Sequence, residues 1–159
     1  MNPTNPTNQI DQKDQIDEID QIDQTNQIVV QLKEPSLIAT EAEIREFIAQ
    51  YKQRYALMDT AGFLSLFSRS AVQNERYGFE EIKEIYSEFF KKSLKLQYDI
   101  EDMRIQIYQN AAEISGRYKI VQTVSKAGKT KTWRGYVRWI LIREEGALKI
   151  RFLDFRAEK

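Results

Sequence analysis

The chain of 159 residues has no cysteine and no histidine. Without thiols there is no disulfide framework and no thiolate metal site. Without imidazole a Ser-His-Asp triad, a Cys-His pair and a two-His metal site are all impossible. Acid–base chemistry, if present, falls to Asp, Glu, Tyr or Lys. No metal and no cofactor is expected. No apolar run approaches the roughly 20 residues that span a bilayer. The polar start, MNPTNPTNQIDQ, lacks the basic-then-apolar order of a secretory signal. These absences lead us to expect a cytoplasmic protein with no membrane partner.

Aromatic residues are missing from the first 33 positions, where a triplet close to Ile-Asp-Gln repeats. Ile10, Ile16, Ile19, Ile22 and Ile28 keep a three-residue grid, which drifts around a 3.6-residue helix and holds no single stripe. Isolated isoleucines among Asp, Gln and Asn bury too little to offset chain entropy. The composition predicts a low-complexity, disordered tail over 1–39, with a short docking helix as the alternative. The domain is expected over 40–157.

Charge is uneven although the total is zero. Residues 1–33 carry a net −4 and residues 34–159 a net +4, while Arg117 to Lys159 alone reach +8. A solvated sheet face studded with Lys and Arg accounts for such a run, and an anionic partner is the alternative.

Order should begin at Thr40, where Thr40 and Glu43 form a Thr-x-x-Glu capping box. Ile44, Phe47, Ile48, Tyr51, Tyr55 and Met58 then recur at helical spacing. Asp59 suits the cap of a short second helix carrying Phe63, Leu64, Leu66 and Phe67. Residues 68–78 read as a loop with room for a short strand, and a third helix spans Phe79 to Lys92. After Ser93 the period becomes two. Leu94, Leu96, Tyr98 and Ile100 alternate, and Met103, Ile105 and Ile107 follow on a shifted phase, which predicts a β-bulge near Glu101–Asp102. Strands through Ala112–Ile120, Trp133–Leu141 and Leu148–Asp154 are joined by turns at 126–129 and 144–146. Short turns make neighbours antiparallel. The fold class is α+β: a curved antiparallel sheet of about four long strands wrapped round three N-terminal helices.

Apolar residues on both strand faces call for two covers. Tyr136, Ile140 and Ile142 alternate with the Trp139 set, and Leu153 and Phe155 with Phe152. Helices cover one face, and a homodimer through Tyr136, Ile140, Ile142, Leu153 and Phe155 would cover the other. Tyr55, Tyr86, Phe90, Tyr98, Tyr118, Trp133, Trp139 and Phe152 could line an apolar pocket, against the plain reading of an aromatic core. Asp154 shares the phase of Phe152 and Ile150, so it points inward or frays into water. Arg134 and Arg138 flank Tyr136 in the manner of a nucleic-acid site, but surface solubility is the preferred reading of them, and no nucleic-acid partner is expected. Gly128-Lys129-Thr130 ends like a phosphate loop. Thr123 stands where the first glycine is required, and a hairpin rather than a helix follows.

The segment Tyr51 to Ala71 (YKQRYALMDTAGFLSLFSRSA), the Phe79–Phe90 helix, and the closing hairpin with Trp133-x-Gly135, Trp139, Arg143-Glu144-Glu145-Gly146 and Lys149-Ile150 occur in a familiar order. The pattern resembles the nuclear-transport-factor-2-like superfamily, with its ketosteroid-isomerase-like and SnoaL-like domains, over 40–157. The resemblance implies a bent sheet around a helix-lined cavity. It also implies, for isomerase-type members, a first-helix phenol at Tyr51 and a proton-moving carboxylate at Glu75. Their further acid would fall near Val137–Trp139, where this chain has none. Tyr51, Glu75 and Asp154 are therefore the catalytic candidates of an isomerase or dehydratase acting on a carbonyl or polycyclic substrate. The competing expectation is a non-catalytic dimeric module that binds a small apolar ligand or a protein partner.

Overall fold

The computed structural model describes residues 36–159. The expected tail lies outside the described residues as far as position 35. The chain is already held at Ile38, whose N–H donates to the Tyr108 carbonyl at 2.8 Å, and Ala39 is buried.

Helix α1 runs Glu41–Leu57. The capping box forms in both directions, with Glu43 N–H on Thr40 Oγ1 at 3.1 Å and Thr40 N–H on Glu43 Oε1 at 3.0 Å. Met58 ends the helix in the left-handed region. Asp59 caps α2, Thr60–Leu64, by accepting from Gly62 N–H at 3.0 Å. Helix α2 is shorter than its apolar spacing predicts. The Leu66 carbonyl accepts from Ile150 N–H at 2.8 Å, and β1, Phe67–Gln73, joins the sheet edge instead. Helix α3 spans Phe79–Lys91 and buries Ile82, Tyr86 and Phe90.

Four long strands follow: β2 Lys95–Ile107, β3 Ala112–Thr123, β4 Thr130–Glu144 and β5 Ala147–Ala157. The sheet order is β1-β5-β4-β3-β2. Strands β2 to β5 form an antiparallel meander, and β1 pairs parallel with β5. The sheet is therefore mixed, curved and unclosed: the four long strands are as expected, and β1 forms where the sequence leaves room for a short strand, pairing parallel rather than antiparallel. The β4–β5 turn places Glu145 and Gly146 both at positive φ, the mirror-image geometry that matches strand twist.

Two bulges bend the sheet. In β2, Asp102 and Met103 together oppose Gly116, and Asp102 sits at φ 55°, which matches the expected phase shift. The second bulge, in β5, has no signature in the alternation. Leu141 pairs with Ile150 and Ile140 with Phe152, so Arg151 is an extra residue. Every side chain beyond it changes face. Phe152 and Asp154 consequently point to the outer face, which overturns the expected pocket place of Phe152 and excludes the inward alternative for Asp154. Leu153 and Phe155 turn inward, against their expected place on a dimer face. Leu153 is 1% exposed and Phe152 39%.

The core lies between the helices and the inner sheet face. Tyr51, Phe63, Ile82, Ile114, Trp139 and Leu141 are all buried there. Among the described residues no helix is long and apolar enough to cross a membrane.

Candidate ligand cavity

A cavity of about 240 Å³ opens between α1, α3 and the inner sheet face. Each element delivers side chains at its own period. Helix α1 contributes Tyr51 and Tyr55, four residues apart, and α3 contributes Ile85, Tyr86 and Phe89. The sheet supplies Tyr98 from β2, Tyr118 and Ile120 from β3, Trp133 and Val137 from β4, and Leu153 and Phe155 from β5. No carboxylate, ammonium or guanidinium belongs to this lining.

Tyr51 is the hub of the floor. Its ring lies 5.5 Å from that of Tyr98, 5.0 Å from Phe63 and 5.2 Å from Trp139. Such tilted and edge-on pairs suit aromatic quadrupoles. The Tyr86 hydroxyl donates to Gln73 Oε1 at 2.9 Å, which satisfies a fully buried amide on β1. Trp139 Nε1 is buried with no acceptor among the described residues. Burial pushes the Tyr51, Tyr55, Tyr86 and Tyr98 phenols above their ordinary value, because a phenolate there would lose its water. These hydroxyls stay protonated at neutral pH, so they donate hydrogen bonds and do not act as bases.

The mouth is built around Trp133, which is 44% exposed and meets Phe89 at 6.5 Å. Trp133 Nε1 donates to Gln122 Oε1 at 3.1 Å, and Gln122 Nε2 donates to Ser93 Oγ at 2.9 Å. Ser93 in turn donates to the Phe89 carbonyl at 2.7 Å. This chain of bonds ties the indole to the end of α3.

Of the catalytic candidates only Tyr51 reaches the cavity. Glu75 is exposed in the Asn74–Glu75 turn, where both residues hold positive φ. Asp154 lies on the outer face, 3.5 Å from Arg138. Among the pocket candidates Tyr55, Tyr86, Tyr98, Tyr118 and Trp133 do line the space. Phe90 and Trp139 are buried outside the lining, Phe90 against Tyr55 and Phe63 and Trp139 beneath Tyr51. Phe152 is on the opposite face of the sheet. Sequence reasoning missed Ile85, Phe89, Ile120, Val137, Leu153 and Phe155. Helical spacing could have found Ile85 and Phe89 beside Tyr86, and strand parity could have found Ile120 and Val137. Leu153 and Phe155 needed the second bulge. Among the described residues no group of three or more Asp and Glu could hold a metal ion.

No protein-family model and no curated protein matches the chain. Solved structures do match it. A protein from Novosphingobium aromaticivorans provisionally named scytalone dehydratase aligns with a TM-score of 0.67 and 10% identity, over 74% of this chain and 83% of that one. A nuclear transport factor 2 superfamily protein from Salmonella enterica aligns at 0.64 and 19% identity, over 74% and 90%. The chain has the nuclear-transport-factor-2-like fold. A protein from Xanthomonas campestris provisionally named a calcium/calmodulin-dependent protein kinase II association domain shares it, at 0.65 and 16% identity over 80% and 98%. Nuclear-transport-factor-2-like proteins thus carry both enzyme and assembly names on one scaffold, so function has to be argued from the site itself.

Proposed function

We propose that the chain is a non-catalytic, dimeric pocket domain whose aromatic cavity binds a small, uncharged, apolar ligand. The observation that carries this reading is the lining of aromatic and aliphatic side chains around about 240 Å³, with phenol hydroxyls as the polar groups. An apolar protein cavity of about 150 Å³ holds benzene, so this one suits a two-ring molecule better than a polycyclic one. A charged ligand would enter without a partner and lose its hydration. An isomerase or dehydratase needs a base at the substrate. The carboxylates considered for that role, Glu75 and Asp154, both lie outside the cavity.

The outer sheet face supports the dimer. Val72, Phe152 and Ile140 occupy adjacent register positions on β1, β5 and β4, and form an apolar row across three strands. Ile142 and Tyr136 extend it along β4. This row replaces Leu153 and Phe155 in the proposed contact. A second copy related by a two-fold axis would cover it.

Native mass spectrometry of the full chain tests both parts. A dimer that retains a neutral small molecule supports the proposal. A monomer that carries no added mass, even after incubation with naphthalene, overturns it.

A further inference from the structure

The β3–β4 hairpin end of the sheet is basic throughout. Residues 89–98 and 114–143 contain no Asp and no Glu. The fold brings these two segments together at the hairpin. Thr123 pairs with Lys95 on one side and with Thr130 on the other, and the Leu94 N–H donates to the Thr123 carbonyl at 2.8 Å. Lys91 and Lys92 at the end of α3, Lys95 at the start of β2, and Lys126, Lys129 and Lys131 around the turn thus share one end of the domain. All six are exposed. Among the described residues only Lys91 of these six has a carboxylate in reach, Glu88 at 4.0 Å.

Two large apolar side chains stand exposed among these lysines. Leu94 is 52% exposed and Trp133 44%. Lys131, two positions before Trp133 on β4, pairs with Gln122, the residue that accepts the Trp133 indole N–H. Lysine is a strongly hydrated point charge that attracts an anionic surface without demanding one geometry, whereas the guanidinium fork suits recognition of single phosphates and bases. Tryptophan favours the headgroup level of a bilayer, where one end of the ring is apolar and the other wet. The charge that draws an anionic surface and the apolar side chains that can enter it occur here together. The proposed dimer contact lies elsewhere. Ile140 is ten residues along β4 from Thr130, a distance on the order of 30 Å, so the tip stays free in that dimer.

We propose that this tip docks on an anionic lipid surface, with the lysines against the headgroups and Leu94 and Trp133 entering between them. The expectation of no membrane partner followed from the missing span, and surface docking needs none. The mouth of the aromatic cavity, built around Trp133, would then face the bilayer, where apolar molecules concentrate. That consequence rests on the ligand reading of the cavity, and the docking itself does not.

The experiment is vesicle co-sedimentation of the full chain, with tryptophan emission read in parallel and no ligand added. One set of vesicles is pure phosphatidylcholine, and the other is equal parts phosphatidylcholine and phosphatidylglycerol. The chain should bind the anionic vesicles, leave them as salt is added, and ignore the neutral ones. Trp133 emission should shift to the blue on binding, while the fully buried Trp139 contributes no shift. Lys126→Gln/Lys129→Gln/Lys131→Gln should weaken binding about a hundredfold, the combined factor of three lysines at an anionic surface. Leu94→Gln should weaken it about threefold or more at unchanged charge, because less apolar area enters the lipid. All four positions are exposed, so neither variant should lower the melting temperature. The control Arg69→Gln/Arg76→Gln/Lys83→Gln removes the same charge from β1, the turn after it and α3, and should bind as the parent does. Equal losses in the two triple variants would reduce the effect to the general basic field and overturn the proposal. Binding that leaves Trp133 emission unmoved, or that Leu94→Gln does not weaken, would overturn the entry of apolar side chains and with it the lipid surface as partner. Tighter binding of a single-stranded oligonucleotide with the same lysine dependence would overturn the proposal in favour of a nucleic-acid contact. No binding to the anionic vesicles would overturn it outright.

Discussion

Raising the pH should unfold this protein abruptly, and the structure sets the size of the effect. Tyr51, Tyr55, Tyr86 and Tyr98 are 2%, 4%, 6% and 7% exposed, and burial holds each phenol above its ordinary value. In the unfolded chain a tyrosine ionises near pH 10. Below that pH both states keep all four protons, and this contribution to stability is fully present. Above it the unfolded state releases protons that the folded state retains, so stability falls as pH rises towards the native values. Four such groups lose roughly 5 kcal/mol per pH unit once the unfolded phenols are fully ionised. A domain stabilised by about 5–15 kcal/mol exhausts that within roughly one to three pH units above 10. Of the protein's eight tyrosines, the four buried ones should add their share of the near-ultraviolet tyrosinate absorbance in one cooperative step with the loss of far-ultraviolet circular dichroism. Ionisation of the four buried tyrosines near pH 10 with the dichroism still native would refute the reasoning, because it would mean that water reaches the cavity floor.

Gly135→Ala should cost about 1–3 kcal/mol in a urea titration, because a Cβ there would press on the Arg156 carbonyl and lie 2.7 Å from the Tyr118 hydroxyl. An unchanged midpoint would contradict that packing. The β5 bulge predicts opposite outcomes for adjacent residues. Measured in a monomeric Ile140→Lys background, Leu153→Ala should cost about 2–5 kcal/mol, and Phe152→Ala less than about 1 kcal/mol. Reversed costs would place the bulge elsewhere. Ile140→Lys should convert the proposed dimer to a folded monomer in sedimentation velocity, whereas a dimer unaffected by the change would rule out the outer apolar row as its contact.

Much of the fold was legible because local signals agreed with the tertiary answer. Thr40 and Glu43 cap α1 as their spacing implies, and the shift from Ile100 to Met103 marks a real bulge. Parity along β4 correctly separated Trp139 and Val137 from Tyr136 and Ile140. What was not legible depends on partners distant in sequence. Phe67 carries a helical spacing, yet pairing with Ile150 draws it into β1. Arg151 sits in an otherwise regular alternation, and only the register against Leu141 and Ile140 exposes it as the extra residue. That one position moved Phe152 and Asp154 out and Leu153 and Phe155 in. It also removed one of the catalytic candidates from the cavity. Glu75 was placed by resemblance alone, and the positive φ of Asn74 and Glu75 turns that segment into the exposed corner after β1.

The defining property of the proposed site is that it accepts an apolar ring and refuses a charge. Trp133 at its mouth reports occupancy, since the protein's other tryptophan, Trp139, is fully buried. The direct measurement is a pair of fluorescence titrations of the full chain, one with naphthalene and one with naphthoate, repeated on Val137→Phe. The expected result is saturable binding of naphthalene at one molecule per chain, loss of that binding in the filled variant, and naphthoate weaker by at least about a hundredfold, because its carboxylate would be buried unpaired. Naphthoate binding as tightly as naphthalene, or no binding of either, would contradict it.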